Sequence, residues 1–153
     1  MRAHLVRQVM FNAWANSKML IKLKQIESQS GYIMDTFSHI LASEKVWVAR
    51  VRGLDTSGIE IWPKLTVSQI EQWSLENRQM LNELNSYLSE LDFDNLITYK
   101  NSKGITYHES IKDIMTHLVM HGTYHRGQIA RTMRQQEIDP PNTDYITFVR
   151  EGG

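Results

Sequence analysis

T-Y-H-E-S-I-K-D-I-M-T-H-L-V-M-H-G-T-Y-H-R-G-Q-I-A-R-T-M-R-Q-Q, Thr106 to Gln136, is the longest helical pattern in the chain and carries four of its six histidines. Ile111, Ile114, Met115, Leu118, Ile129 and Met133 recur at helical spacing and share one face. Thr106 and Glu109 stand at capping-box spacing just ahead of the apolar run, so a helix is predicted to open there and continue to about Gln136. Gly122 and Gly127 oppose it mildly, each costing about 1 kcal/mol against alanine in a helix interior.

Working outward, the same pattern returns three times. Leu5, Val9, Ala13, Leu20 and Leu23 predict a first helix over His4 to Ile26, with a break from Ser28 to Gly31. A second runs from Tyr32 to Arg52, apolar on most sides between Ile40 and Val51 and ended by Gly53. After a connection from Asp55 to Leu65, a third starts near Thr66, with Ser68 and Glu71 at capping spacing, and ends near Leu91. Leu96 to Tyr99 reads as a short strand, Asn101 to Gly104 as a turn, and Ile105 as the start of a return strand. Beyond Pro140 and Pro141 a short tail offers Tyr145, Ile146 and Phe148 to pack back. The predicted fold is all-α, a four-helix bundle in a single domain over residues 1–153, with a short β-hairpin between helices three and four.

Three of the six histidines, His117, His121 and His125, fall at four-residue steps on the last helix. On a helical wheel His125 lies roughly 40° and His121 roughly 80° from the centre of the apolar face, while His117 lies roughly 120° away. His121 and His125 are therefore the interior pair. Two histidines four apart point the same way, and a third from a facing helix would complete a metal site. His39 is the candidate, with Asp35, Ala42, Ser43 and Val46 beside it on its wheel. A hydrogen-bonded core or surface histidine is the plainer reading of each, and it is preferred for His117, His108 and His4.

Composition removes several classes. Seventeen basic and seventeen acidic residues give zero formal charge, without the basic excess that nucleic-acid phosphates require. No cysteine is present, so thiolate ligands, disulfides and cysteine nucleophiles are excluded, and any reacting thiol must arrive as cofactor or substrate. No run reaches the roughly 18–20 apolar residues of a membrane span, and no signal-peptide pattern is read at the start. A cytoplasmic location, no membrane and no nucleic-acid partner are the expectations.

Four stretches, Phe11 to Asn16 (F-N-A-W-A-N), His39 to Trp47 (H-I-L-A-S-E-K-V-W), His117 to Gln128 and Thr143 to Phe148 (T-D-Y-I-T-F), together resemble the DinB family of metal-binding four-helix bundles across essentially the whole chain. The resemblance implies a divalent metal held by His39, His121 and His125, with His117 a less certain neighbour, and a homodimer formed through helix packing. It also implies kinship with metal-dependent transferases that use low-molecular-weight thiols such as mycothiol or bacillithiol. Zinc, nickel and iron all accept imidazole. Three ligands leave an open position, which suits catalysis on a small-molecule substrate, as S-transferase or hydrolase, better than a closed structural site. The other reading is a non-catalytic, dimeric stress-response binding protein whose metal staples helices two and four. Around the histidines, Arg126 is read as a structural ion pair with Glu44, Asp113 or another acid, with a carboxylate or phosphate on a ligand as the alternative. Glu44 is a candidate hydrogen-bond partner for a ligand histidine, and Trp14 and Asn16 are candidates for the site mouth, with core or interface the plainer place for Trp14.

Overall fold

A computed structural model of the chain describes residues 2–26, 31–88, 92–101 and 103–153. Four long helices, α1 (Arg2–Leu23), α2 (Gly31–Val51), α3 (Val67–Leu88) and α4 (Ile111–Gln135), carry a hairpin of β1 (Leu96–Lys100) and β2 (Thr106–Ser110), and a last short helix, α5 (Tyr145–Arg150). The expected all-α bundle with a hairpin between its third and fourth long helices is what forms. The break expected at Ser28 lies outside the described residues, as does the expected end of the third helix near Leu91. No described helix is long and apolar enough to cross a membrane.

Two helix starts differ from expectation. Thr106–Glu109 is not a cap: the whole segment pairs with β1, Thr98 opposite His108 and Tyr99 opposite Tyr107. The cap is Ser110, whose hydroxyl accepts from the Asp113 amide at 3.2 Å. Ser110-x-x-Asp113 has the same spacing as Thr106-x-x-Glu109, and strand pairing decides between them. Carbonyls of Asn95 and Phe93 accept from the Ile111 and Lys112 amides, satisfying two further donors at this end. In α3 the box is Thr66 with Gln69, not Ser68 with Glu71: the Thr66 amide donates to Gln69 Oε1 at 2.8 Å, and the Gln69 amide returns to Thr66 Oγ1 at 3.3 Å. The tail packs back through Tyr145 and a buried Phe148, both against Phe11, but Ile146 stays exposed.

α2 packs between α3 and α4, and α1 packs against the same two, so α1 and α2 lie diagonally across the bundle. This brings His39 on α2 directly against α4. The core has two apolar halves. One gathers Val9, Phe11, Val48, Leu84, Met115 and Leu118. The other gathers Met19, Phe37, Leu41, Ile70, Ile129 and Met133. Burying each such side chain contributes about 1.5–3 kcal/mol.

A buried polar layer adds a residue or two from every long helix. Asn12 and Asn16 of α1 each donate to Glu44 Oε1 of α2 at 2.6 Å. Asn77 of α3 donates to Glu44 Oε2 at 2.7 Å. Arg126 of α4 donates to the amide oxygens of Asn12 and Asn16 at 2.8 Å each. Charges left in a dry interior are costly unless hydrogen-bonded throughout, and here two asparagines relay the acid to the base. Burial lowers Arg126 to about 10, with Glu44 opposing, so it keeps its proton at neutral pH. Burial raises the Glu44 carboxyl, and the Asn77, Asn12 and Asn16 hydrogen bonds and the Arg126 charge pull it back. A methyl group at Gly122 would lie 2.4 Å from Asn12 Oδ1, so the layer requires glycine one residue after His121.

Candidate metal centre

α4 presents His121 and His125 one turn apart, and α2 presents His39 opposite them. One ring nitrogen from each lies within 4.8 Å of the other two, an arrangement that could hold a metal ion. His39 and His125 are 6% and 9% exposed, and His121 is half-buried. His39 Nε2 is 3.1 Å from His121 Nε2. Nitrogens bound tetrahedrally to one ion at about 2.0–2.1 Å stand about 3.3 Å apart, so this pair already has nearly the separation that a shared ion imposes.

The outward nitrogens settle the tautomers of two rings. His39 Nδ1 is 2.8 Å from the Ile61 carbonyl, which only accepts, so Nδ1 carries the proton and Nε2 its lone pair. His125 Nδ1 donates to Gln128 Oε1 at 2.8 Å, which frees its Nε2 in the same way. Orientation of a ligand ring through its second nitrogen is the usual companion of metal binding. The Trp62 indole stacks flat on His39, centroids 3.7 Å apart at 2°, and closes that side of the ring. Burial, and then the neighbouring imidazoles, draw His121 down to about 3, and burial lowers His39 as well. At neutral pH the two are unprotonated, the form that coordinates.

Other residues fall where their hydrogen bonds take them. His117 is exposed, its ring edge-on to Trp47 at 5.0 Å and 5.5 Å from His121, adjoining the trio without belonging to it. His108 bonds Thr98 on the hairpin and His4 bonds Gln8, both exposed. Glu44 contacts no ligand histidine; its oxygens are taken by the asparagines. Asn16 belongs to the polar layer, and Trp14 donates to Glu151 at 3.0 Å beside the tail, so neither lines the site. Arg126 faces Glu44 through asparagines, and Asp113 is spent on the α4 cap. The Ile61 carbonyl, Trp62 and the role of Gln128 were not read from sequence. Gln128 had a signal, three residues after His125 on the same helix; Trp62 had only its place before Pro63, where the chain must run extended.

The chain is thus a helical bundle with three converging histidines. The sequence model of the DinB family matches residues 10–151, and the chain belongs to that family. It is similar to Protein DinB of Bacillus subtilis (strain 168), 25% identical over 154 residues, covering 91% of this chain and 90% of that protein. It is also similar to the uncharacterised protein YizA of the same organism, 21% identical over 114 residues, covering 74% of this chain and 70% of that one.

Proposed function

We propose that His39, His121 and His125 hold one catalytic divalent cation, zinc, nickel or iron, and that the protein is a metal-dependent transferase or hydrolase acting on a small molecule, with a low-molecular-weight thiol as the favoured co-reactant. The observation that carries this is the donor set: three imidazoles converge, two with their second nitrogens anchored, and no fourth histidine or acid joins the cluster among the described residues. Three protein ligands leave a coordination position for a reactant. A bound ion would supply Lewis acidity there, polarising an electrophile or acidifying a thiol.

The chain's own residues do the remaining work. Ile61 and Gln128 hold two rings in register. Trp62 shields His39 from water, and Gly122 lets α4 approach α1 closely enough to set the pair at its depth. With no cysteine in the chain, the nucleophilic sulfur must come from solution. A cytoplasmic homodimer without nucleic-acid or membrane partners is part of the same proposal.

The test is a screen of the zinc-, nickel- and iron-loaded protein for thiol transfer to electrophiles and for hydrolysis of small amides and esters. Activity that appears with metal and vanishes in His39→Ala supports the proposal. A loaded site that is inert, with a closed coordination sphere by X-ray absorption, would favour a structural staple between α2 and α4.

A further inference from the structure

Beside the histidines lies a second feature that the proposed chemistry does not use. Between α2, the connection that follows it and the hairpin is a cavity of about 530 Å³. Its cations are Arg50 and Lys100, its hydroxyls Thr56 and Ser57, and its apolar wall Val46, Ile59 and Ile61. Ile61 is shared with the metal centre, because its carbonyl fixes His39. The volume suits a small organic molecule.

Arg50 is held in an unusual way. Its guanidinium lies 4.0 Å from the centroid of Tyr99 and 4.5 Å from that of Trp47, a clamp of two aromatic rings from β1 and α2. The rings are mutually edge-on at 87°, and Trp47 in turn abuts His117. Its Nε is buried without a hydrogen-bond partner. Among the described residues no ion pair engages it. A stacked guanidinium keeps its edge free, and that edge is a planar fork fitted to carboxylate or phosphate oxygens. Two acids are near. Asp55 lines the cavity, but both its oxygens are turned to Ser57, one accepting from the amide at 3.0 Å and the other from the hydroxyl at 2.6 Å. Glu109 of β2 is hydrogen-bonded by the Tyr99 hydroxyl and exerts a charge on Arg50, while its Oε2 is buried without a partner.

We infer that this cavity is an oxyanion-binding subsite, in which Arg50, assisted by Lys100, takes the carboxylate or phosphate of a small organic acid whose other end is presented to the histidine centre. Its role as a substrate subsite rests on the catalytic reading above; the binding of the anion itself does not. Orientation follows from the clamp, whose aromatic rings fix the guanidinium plane.

The experiment follows the Arg50 Nε–H resonance by ¹⁵N-correlated NMR while inorganic phosphate or succinate is added, with sodium chloride matched for ionic strength. It is run on zinc-loaded wild type and on a variant with His121→Ala and His125→Ala. The inference expects a saturable shift with phosphate, succinate or both, and none with chloride; which of the two binds tighter assigns the headgroup. In Arg50→Lys, which keeps the charge and loses the fork, anion affinity is read from the backbone amide resonances of Thr56 and Ser57 in the cavity wall, followed in wild type as well, and is expected to be at least tenfold weaker with an unchanged thermal midpoint. If Arg50→Lys fails to fold, Lys100→Gln is expected to show a several-fold loss at the Arg50 resonance. A resonance unmoved by both anions, or moved equally by chloride, overturns it. So does a resonance that responds only to Glu109→Gln, since Arg50 would then be that acid's partner. Saturable binding that survives loss of the two histidines upholds the subsite even if the metal proposal fails, and zinc binding without anion binding upholds only the metal.

Discussion

Replacing Gly122 by alanine sets two effects of opposite sign against each other. Alanine is the better helix former by about 1 kcal/mol, so propensity alone would stabilise α4. The new methyl would stand 2.4 Å from Asn12 Oδ1 and 2.9 Å from Arg126 Nη1, closer than real contacts allow. Neither atom is free to retreat. Asn12 is fully buried and donates to Glu44, and Arg126 is held by Asn12, Asn16 and Thr123. Overpacking costs about 1–3 kcal/mol, and a strained charge-assisted hydrogen bond removes about 1.5–3 more. The net is a destabilisation of about 1.5–5 kcal/mol after the propensity gain. Gly127 is the internal control: it lies in the same helix, exposed, with nothing within 4 Å of a built Cβ. Gly127→Ala is expected to stabilise by up to about 1 kcal/mol. Urea unfolding of the metal-free proteins, followed by far-ultraviolet circular dichroism, reads both signs. A Gly122→Ala variant as stable as wild type would refute the close approach of α1 and α4 and the rigidity of the polar layer.

Further outcomes follow from other contacts. Arg126→Met leaves Glu44 buried without its cation and is expected to lose about 3–5 kcal/mol in the same unfolding assay. Gln128→Ala frees the His125 ring and should weaken zinc affinity by about 10–100-fold, measured by competition with a chromogenic chelator, with little change in metal-free stability. In the metal-free protein, burial holds His121 at about 3 against its ordinary 6.5, so the unfolded chain binds the extra proton. Stability is then full above pH 6.5 and falls as pH drops from there toward 3, and the slope of the thermal midpoint over that window should flatten in His121→Gln. Ser110→Ala removes the α4 cap and should cost about 1 kcal/mol.

Much of this arrangement was legible in the sequence, and the residues show why. The bundle followed from helical spacing, which survives in any context that buries one face. His121 and His125 were placed by the wheel, because their positions depend on one helix alone. His39 stood as the candidate third ligand from its wheel neighbours and the family resemblance named it again, but that it faces the pair depends on the diagonal relation of α1 to α2, which has no local signature. Both misplaced caps arose where two equal spacings stood side by side; at α4 strand pairing chose between them, and at α3 the box closed on Thr66 and Gln69. The polar layer was only glimpsed: Arg126 was read in an ion pair with Glu44, Asp113 or another acid, and it reaches Glu44 through two asparagines. Asparagines are turn formers by habit; Asn12 and Asn16 gave no sign that they would relay Glu44 to Arg126, nor Asn77 that it would bond Glu44. The Ile61 carbonyl and the Trp62 stack come from an irregular connection, where sequence pattern carries least.

The central claim is that three histidines make one metal site. The most direct measurement is metal content by elemental mass spectrometry of protein purified without an affinity tag. Wild type would be compared with a variant carrying His121→Ala and His125→Ala, each before and after incubation with zinc or nickel. One metal per chain in wild type and none in the variant is the predicted result. No metal in wild type even after incubation, or equal metal in both, would contradict it.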